Sequence, residues 1–291
     1  MKVALSFGAE KNCVSTLREV VPTKEKETTL AAPAGTLCPI CGSEMTRPLY
    51  CALHWQACLG CGVWFREPMP TEHQLSAFYM DAFYNGGNGT ATCMHATDIS
   101  CGRQYLDLIA KELGLQWRCL RVLDYGAGEG DLSILLQRMG ADVLALDPYG
   151  YNACDSRRIS AVRSLQEIPA GKKFDGIVMT EVVEHLVDPV SLLRQLSSRL
   201  REDGWIFLTT PNNEGLKARL LRDGWRESLN DSHLFLFSWG SLARALRLAG
   251  FAPSLCRGFV RFSANPLRTA VQYSLQALRM QGNIWAIGRK H

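Results

Sequence analysis

The chain of 291 residues is long enough for about two domains of ordinary size. Its composition, 47% hydrophobic and 21% charged, excludes a disordered or collagen-like chain and allows a sizeable core. The net charge of +4 is too small to indicate a nucleic-acid-binding protein, although residues 232–291 hold eight Arg and Lys and no Asp or Glu.

The N-terminal segment, residues 1–35, is polar, mixed in charge and ends in Ala-Ala-Pro-Ala-Gly. This composition predicts a mobile tail. The apolar stretch within residues 1–10 is short for the core of a signal peptide, and no uncharged apolar run in the chain reaches the ~18 residues that a membrane helix needs. We therefore expect a cytoplasmic protein without a membrane partner.

Two Cys-x-x-Cys pairs follow the tail. Cys38 and Cys41 form the first pair, Cys58 and Cys61 form the second, and 16 residues separate them. Two such pairs direct four thiolates at one centre and complete a tetrahedral zinc site with no open position. The spacing predicts a small zinc ribbon over residues 36–70, in which bound zinc supplies folding free energy that so short a segment cannot obtain from a core.

Other cysteines leave an alternative open. The total of 11 is odd, and without a secretion signal a disulfide framework is not expected. Cys51 with His54 is a rival second pair, which would give three thiolates and one histidine. We favour the Cys-x-x-Cys pair because the Gly-Val-Trp-Phe run after it is typical of the second turn of a ribbon. Between Cys38 and Cys61 the ribbon contains one basic residue, Arg47, whereas an RNA-binding finger is richer in Lys and Arg.

The remainder of the chain changes pattern at about residue 119. Residues 71–118 contain an aromatic stretch, a Gly-Gly-Asn-Gly loop and a segment of helical period at 102–115, which together predict a helical connector or cap. Strands then alternate with helices of about ten residues. The predicted strands are 119–125, 141–147, 174–180, 204–212 and 284–290, and the predicted helices are 131–140, 190–200 and 241–251. This alternation predicts a doubly wound α/β domain over residues 119–291.

A glycine-rich turn follows the first strand of that domain. Asp124 lies at the end of the strand, and Gly126 and Gly128 allow a tight turn and the close approach of a ligand. The next strand ends in Asp147, about 20 residues further on, where a carboxylate can accept hydrogen bonds from two ribose hydroxyls. These features predict a cofactor that contains a nucleoside.

The glycine spacing separates two cofactor classes. The turn reads Gly-x-Gly-x-Gly, whereas the nicotinamide fingerprint needs Gly-x-Gly-x-x-Gly. With the preceding aspartate it resembles motif I of class I S-adenosylmethionine methyltransferases. The resemblance continues through Phe-Asp-Gly-Ile-Val-Met-Thr-Glu-Val-Val-Glu-His-Leu-Val-Asp-Pro, Gly-Trp-Ile-Phe-Leu-Thr-Thr-Pro-Asn and His-Leu-Phe-Leu-Phe-Ser. These blocks occur in the order of the ubiquinone-biosynthesis-like, methyltransferase domain 23 branch, over about residues 119–290.

The resemblance implies a Rossmann-like methyltransferase sheet that binds S-adenosylmethionine. In that family the glycine loop cradles the methionine portion and the acid after the second strand holds the ribose. The implied cofactor-binding residues are Asp124, Gly126, Gly128, Asp147, Pro148, Ser164, Leu165, Thr180 and Tyr84. Ser164 and Leu165 depart from the family pattern, which places an acid and an apolar residue at the adenine-reading position. Tyr84 belongs to the aromatic stretch, a segment that caps the cofactor in relatives.

Two histidines are candidates for a general base, which assists methyl transfer to a hydroxyl or a carbon acid. We prefer His233, which precedes the Leu-Phe-Leu-Phe-Ser run, and place His185, in Glu181-Val-Val-Glu184-His185, second. The Glu-x-x-Glu-His pattern also resembles the magnesium site of small-RNA 2′-O-methyltransferases, in which a downstream histidine completes the site, a position that His233 could take. The same pattern occurs in metal-independent relatives.

The sequence therefore predicts S-adenosylmethionine-dependent methylation of a small molecule, such as a sugar or a secondary metabolite, with a structural zinc site. The basic C-terminal region is typical of a solvated surface, and an anionic acceptor is the alternative that it leaves open. Two alternatives are an RNA methyltransferase that uses the ribbon to bind its substrate and a non-catalytic scaffold that binds the cofactor. The sequence indicates neither the oligomeric state nor whether carbon, oxygen or nitrogen is methylated.

Overall fold

A computed structural model describes residues 36–50, 54–71, 73–77, 79, 99–258 and 266–291. Residues Gly35–His291 form one compact unit, and the other unit, Met1–Ala34, lies outside the described residues. The predicted tail, Cys51 and Tyr84 lie outside them as well. No helix in the described part of the chain is both long and apolar enough to span a membrane.

The elements follow the predicted alternation. The strands are β1 (Thr46–Leu49), β2 (Trp55–Cys58), β3 (Trp64–Arg66), β4 (Arg121–Tyr125), β5 (Asp142–Leu146), β6 (Ala161–Val162), β7 (Phe174–Thr180), β8 (Leu200–Pro211), β9 (Phe235–Leu236), β10 (Phe251–Gly258) and β11 (Asn283–Lys290). The helices are α1 (Ile99–Leu113), α2 (Asp131–Arg138), α3 (Tyr151–Ser156), α4 (Pro189–Arg199), α5 (Leu216–Leu221), α6 (Arg226–Leu229), α7 (Trp239–Leu248) and α8 (Pro266–Ala277). Residues 73–77 are also helical.

The main sheet has the strand order β10-β11-β8-β7-β4-β5-β6. The chain enters at β4, runs outward through β5 and β6, and then crosses to β7 and β8 on the other side, all in parallel. The point between β4 and β7 where the order reverses is where open α/β sheets bind ligands. The predicted doubly wound sheet is confirmed, with one difference. The last strand, β11, lies between β8 and β10 and is antiparallel to both.

Local sequence explains the element ends. The central strands are almost continuously apolar, as strands covered on both faces must be. Helix α4 begins after Asp188, whose carboxylate accepts a hydrogen bond from the Ser191 amide. Pro189 occupies its first turn, where the missing amide hydrogen costs no hydrogen bond. Helix α7 begins with a reciprocal capping box between Ser238 and Ser241.

The ribbon is joined to the doubly wound part by strand pairing. Strands β1, β2 and β3 form an antiparallel sheet, and β9 adds to it through Trp64 opposite Leu236 and Phe65 opposite Phe235. A buried apolar cluster lies at this junction, formed by Trp55, Ala218, Trp225 and Leu236. The ribbon therefore packs directly on elements that follow β8. The predicted boundaries at residues 36–70, 71–118 and 119–291 remain a prediction.

Candidate active site and zinc centre

The four predicted zinc ligands lie together. The Sγ atoms of Cys38 and Cys61 are 3.7 Å apart, those of Cys41 and Cys58 are 3.6 Å apart, and all four lie within 4.8 Å of one another. A tetrahedron with Zn–S bonds of ~2.3 Å has sulfur–sulfur edges close to these distances. The arrangement is compatible with one four-thiolate zinc ion.

Glycines set the two turns that carry these ligands. Gly42 and Gly62 have φ values of +70° and +83°, which glycine adopts without strain. Their amides donate to the carbonyls of Cys38 and Cys58 at 2.8 and 2.9 Å. His54 from the rival pair is exposed and does not belong to the sulfur cluster.

We expect purified protein to contain about one zinc ion per chain, because a closed four-thiolate site binds zinc tightly. Cys41→Ser should lower both the zinc content and the melting temperature. Cys119→Ser is the matched control, since Cys119 is an exposed cysteine outside the cluster. Plasma mass spectrometry with thermal unfolding makes the measurement, and a folded, metal-free wild-type protein would contradict the assignment.

The glycines of the turn after β4 serve different purposes. A Cβ atom on Gly126 would lie 2.4 Å from the branched side chain of Val182, so packing favours glycine there, and Gly130 has a φ of +84°, which a residue with a Cβ rarely adopts. Gly128, at φ +54°, is different, because a Cβ there would meet no described atom within 4 Å. On the side where a Cβ would stand, none of the described residues therefore covers the Gly128 backbone, and a ligand can approach it there.

Asp147 ties this turn to the end of the next strand. Its Oδ2 accepts a hydrogen bond from the Gly128 amide at 2.9 Å, and its Oδ1 accepts from the amides of Tyr149 and Gly150 at 2.9 and 2.6 Å. A carboxylate has about four acceptor positions. One position on Oδ2 is left for a ribose hydroxyl, and a second ribose hydrogen bond requires the Gly128 amide to give way.

The turn at Gly150 is packed against the turn at Gly128. A Cβ on Gly150 would lie 1.9 Å from the Gly128 carbonyl oxygen. We therefore expect Gly150→Ala to push the two turns apart and weaken S-adenosylhomocysteine binding by about tenfold or more, the loss expected when a charge-assisted hydrogen bond is broken. Gly171→Ala, where a Cβ meets no described atom within 4 Å, is the control. Equal affinities of the two variants in calorimetric titration would contradict this geometry.

The remaining predicted cofactor residues are placed as follows. Asp124 is buried, and its Oδ2 accepts a 2.6 Å hydrogen bond from Ser133 on α2, so its side chain joins strand to helix. Pro148 is exposed beside Asp147, and Thr180 is partly buried at the end of β7. The Ser164 hydroxyl donates to Glu167, and the Leu165 side chain lies in the hydrophobic core.

Burial raises the pKa of Asp124 to about 6, from 3.8. The native state therefore keeps this proton up to about pH 6, whereas the unfolded chain releases it near pH 4. The protonated Asp124 carboxyl contributes its full stabilisation below the pKa of the unfolded chain, and this stabilisation is lost as the pH rises through the native pKa. The difference between the two pKa values corresponds to roughly 3 kcal/mol of unfolding free energy. Asn cannot ionise but still accepts from Ser133.

We accordingly expect Asp124→Asn to gain about 1 kcal/mol of stability relative to wild type between pH 5 and pH 7.5. Chemical denaturation at several pH values gives the difference, and Asp142→Asn, an exposed site on β5, is the control. Parallel pH profiles for wild type and Asp124→Asn would contradict the raised pKa.

The two candidate histidines are in contact, with ring centroids 4.8 Å apart. His185 Nδ1 lies 2.8 Å from the Ser232 carbonyl oxygen, which can only accept, so Nδ1 holds the proton and Nε2 keeps a lone pair. His233 Nδ1 likewise donates to the Glu227 carbonyl at 2.9 Å, but its Nε2 accepts from the Asn230 amide at 3.1 Å. Of the two, His185 offers a ring nitrogen without a partner among the described residues.

Burial lowers the pKa of His185 to about 3 and that of His233 to about 4. Both rings are therefore neutral at physiological pH. A neutral imidazole with a fixed tautomer suits hydrogen-bond acceptance or metal ligation, and it is a weak base.

Glu184 lies beside this histidine pair. It is fully buried, and neither carboxylate oxygen has a hydrogen-bond partner among the described residues. Burial raises the pKa of this carboxyl well above its usual value. A ligand atom from each of Glu184, His185 and His233 lies within 4.8 Å of the others. An orphaned carboxylate and two neutral imidazoles form a donor set of the kind that binds a divalent cation, and ligation by His233 requires its Nε2 to exchange the Asn230 amide for the cation.

The preceding carboxylate of the Glu-x-x-Glu-His run is held differently. Glu181 accepts hydrogen bonds from the Thr209 hydroxyl at 2.7 Å and from the Asn283 amide at 3.0 Å. These partners join β7, β8 and β11 beneath the site. Within the run, Glu184 and His185 are therefore the groups left for a ligand.

Tyr79 bridges the cofactor turn and the histidine pair. Its ring centroid lies 5.1 Å from that of Tyr149, next to Asp147, and 6.2 Å from that of His185. Tyr79 belongs to the aromatic stretch that predicted a cap, although Tyr84 was the residue chosen from it. The described contacts place a tyrosine between the two halves of the site.

Arg66 on β3 is a site residue that sequence reasoning missed. Its side chain is 12% exposed, and its guanidinium donates to the carbonyls of Ser228, Asn230 and His233 at 3.2–3.3 Å. The guanidinium carbon also lies 4.4 Å from the centroid of the Trp55 ring. One residue of the ribbon thus holds residues 228–233, which position both histidines. Arg66 lies more than 160 residues before that segment in the chain, so no sequence pattern indicates the contact.

Comparison with known proteins identifies relatives. A methyltransferase domain model matches residues 95–254. The ubiquinone biosynthesis O-methyltransferase of Ruegeria pomeroyi is 30% identical over 203 residues, which cover 61% of this chain and 81% of that protein. The enzyme of the same name from Leptothrix cholodnii is 34% identical over 107 residues, which cover 32% of this chain and 45% of that protein. The chain thus spans less than half of the Leptothrix relative.

A solved structure supports the fold. The 1,6-didemethyltoxoflavin N1-methyltransferase of Burkholderia thailandensis, bound to S-adenosylhomocysteine, superposes with a TM-score of 0.52 at 19% identity. The superposition covers 78% of this chain and 95% of the other. At this level of identity, the likeness shows the fold.

Proposed function

Since the chain belongs to the class I S-adenosylmethionine-dependent methyltransferase family, we propose that it transfers a methyl group from S-adenosylmethionine to a hydroxyl oxygen of a small-molecule acceptor. The observation that supports this most is the open backbone at Gly128, tied to Asp147 at the reversal point of the sheet. Relatives named as O-methyltransferases favour oxygen as the acceptor atom.

The chain's own residues then have separate tasks. When bound, S-adenosylmethionine supplies an electrophilic methyl group on a sulfonium, so that the protein mainly needs to align the acceptor and exclude water. Gly128 and Asp147 hold the cofactor, and Tyr79 covers the space between Tyr149 and His185.

His185 is the proposed contact to the acceptor. Its Nε2 lone pair accepts the hydrogen bond of the acceptor hydroxyl. Although the buried ring is a weak base, the hydroxyl becomes strongly acidic as the new carbon–oxygen bond forms and the sulfur–methyl bond breaks, so Nε2 can receive its proton. His233 is a positioning residue, because both of its ring nitrogens are hydrogen-bonded within the chain. Sequence reasoning ranked these two histidines in the opposite order.

The neutral histidines also support a second arrangement. Glu184, His185 and His233 would hold a divalent cation, which lowers the pKa of a hydroxyl that it binds. The two arrangements differ in metal dependence. Dialysis against a chelator followed by Mg²⁺ addition, with the ribbon's zinc content measured in each sample, distinguishes them. Mg²⁺-restored activity at constant zinc content would favour the cation.

Release of S-adenosylhomocysteine in the presence of catechols, phenols and sugars tests the proposed function. We expect acceptor-dependent release by wild type and a loss of about 100-fold in His185→Ala, within the range of proton-transfer contributions. His73→Ala, an exposed histidine, is the control. Cofactor binding without turnover on any acceptor class would contradict the proposal and indicate a scaffold.

A further inference from the structure

A cavity of about 440 Å³ lies between the ribbon and the segment after β8. Its volume falls within the range of small-molecule sites. Its lining includes Arg47, Tyr50, Trp64, Asn213, Arg219 and Arg222. None of these residues belongs to the cofactor turn, the histidine pair or the zinc centre.

Three arginines, Arg47, Arg219 and Arg222, are among the residues that line this cavity. Arg47 lies exposed on β1 and makes no side-chain hydrogen bond or ion pair to a described residue. Arg219 uses its Nε to donate to the Glu214 carbonyl at 2.8 Å, which leaves its terminal nitrogens. The fork of N–H groups on a guanidinium matches the oxygens of a carboxylate or a phosphate. The ribbon supplies one of these arginines and the segment after β8 supplies the others.

Aromatic rings form another part of the wall. Tyr50 and Trp64 are in edge contact, with centroids 5.7 Å apart at 84°. Trp64 is fixed from behind by Trp225 at 6.3 Å and 87°. Rings held in this way offer a rigid surface to a planar group.

The backbone holds two of these side chains at a conformational cost. Tyr50 and Arg222 have φ values of +53° and +51°, a region that residues with a Cβ atom rarely adopt. Such strain persists where the surrounding structure enforces it, and it is concentrated at ligand sites.

The cavity and the proposed acceptor site share strand β3, which carries Trp64 and Arg66. Asn213 in its wall follows β8 and donates from Nδ2 to the carbonyls of Gly62 and Leu236 at 2.9 and 2.8 Å. Trp64 pairs with Leu236, three residues after His233. Strand β3 therefore contributes Trp64 to the cavity wall and Arg66 to the segment that positions the histidines.

We propose that this cavity binds the non-reacting end of the acceptor, a planar ring that bears a phosphate or a carboxylate. This inference rests on the proposed function and specifies its substrate class. The concave shape favours a small organic anion over RNA, which would need a basic surface along its backbone.

Calorimetric titration of the zinc-loaded full chain tests the inference with three probes: uridine diphosphate, 4-hydroxybenzoate and inorganic pyrophosphate. We expect at least one ring-bearing probe to bind, and Arg47→Gln to weaken its binding by about tenfold, as for one lost charge-assisted hydrogen bond. Trp64→Leu should weaken the ring-bearing probe more than pyrophosphate. Arg244→Gln, an exposed arginine on α7 away from the cavity, should have no effect.

The arms separate the outcomes. Preference for uridine diphosphate identifies a phosphate source, and preference for 4-hydroxybenzoate identifies a carboxylate source. Equal losses in Arg47→Gln and Arg244→Gln, no binding of any probe, or Arg47-dependent binding of a 20-nucleotide RNA alone would overturn the inference. S-adenosylhomocysteine is titrated into the same samples. If wild type binds S-adenosylhomocysteine but none of the probes, only this inference is rejected. If wild type does not bind S-adenosylhomocysteine, the proposed function is rejected.

Discussion

Asp147→Ala is expected to weaken S-adenosylhomocysteine binding at least tenfold, because charge-assisted hydrogen bonds are worth roughly 1.5–3 kcal/mol each. The carboxylate holds the Gly128, Tyr149 and Gly150 amides, so its removal loosens the cradle and also eliminates the proposed ribose contact. Calorimetric titration measures the affinity. Circular dichroism confirms that the variant is folded.

Asp147→Asn refines this test. Its amide oxygen can keep the Tyr149 and Gly150 contacts, but its NH₂ group would face the Gly128 amide, donor against donor. If the hydrogen bond from the Gly128 amide to the Asp147 carboxylate determines cofactor affinity, we expect Asp147→Asn to lose nearly as much affinity as Asp147→Ala. Asp142→Asn, at the exposed start of the same strand, should bind normally. Unchanged affinity in Asp147→Ala would disprove its role.

Arg66→Met should lower kcat by about tenfold or more and leave the dissociation constant of S-adenosylhomocysteine within about twofold, because small displacements at a reacting centre cost rate rather than cofactor affinity. The change removes hydrogen bonds to three carbonyls in residues 228–233 while keeping the volume of the side chain. The cofactor turn is held instead by Asp147 and the amides of Gly128, Tyr149 and Gly150, so its geometry should be kept.

Arg66→Lys should restore part of the rate, since an ammonium group can reach one or two of the carbonyls but lacks the planar fork. Arg201→Met is the matched control. It removes an exposed arginine at the start of β8 that pairs with Asp175, whereas the candidate site lies beyond the end of that strand. Zinc content and melting temperature are measured on every variant. A drop in kcat that follows loss of zinc or of folded protein, with no partial rescue by lysine, would show that Arg66 only stabilises the ribbon.

Much of the fold could be predicted because its signals are local. The apolar runs at β4, β5 and β7 are typical of strands buried on both faces, and the Gly-x-Gly-x-Gly turn and Asp147 occur at fixed spacing after two of them. The two Cys-x-x-Cys pairs were predictable for the same reason. The antiparallel β11 was not, because an apolar strand does not reveal the direction in which it pairs.

The histidines show where local signals fail. His185 and His233 both appeared as possible bases, and only their hydrogen bonds distinguish them. The partners that decide the matter are Ser232, Asn230 and the Glu227 carbonyl, and one of them lies 47 residues from the ring that it contacts. Spacing cannot give the identity of a hydrogen-bond partner on another element.

The ribbon shows the same limit. Its metal site is local, but its attachment depends on Arg66 and on strand β9, which is two residues long. Segments of that length leave no periodic pattern in a sequence. The arginine-lined cavity is likewise assembled from the ribbon and from residues 213–222, and neither part indicates a site by itself.

Transfer of labelled methyl from S-adenosylmethionine into a fractionated extract of the source cells tests the central claim most directly. Wild-type protein should place label in the small-molecule fraction, and mass spectrometry should identify a product with a new O-methyl group. Gly150→Ala should reduce that label strongly and Gly171→Ala should not. Label that enters only RNA or protein, or that is equal with all three proteins, would contradict methylation of a small molecule at this site.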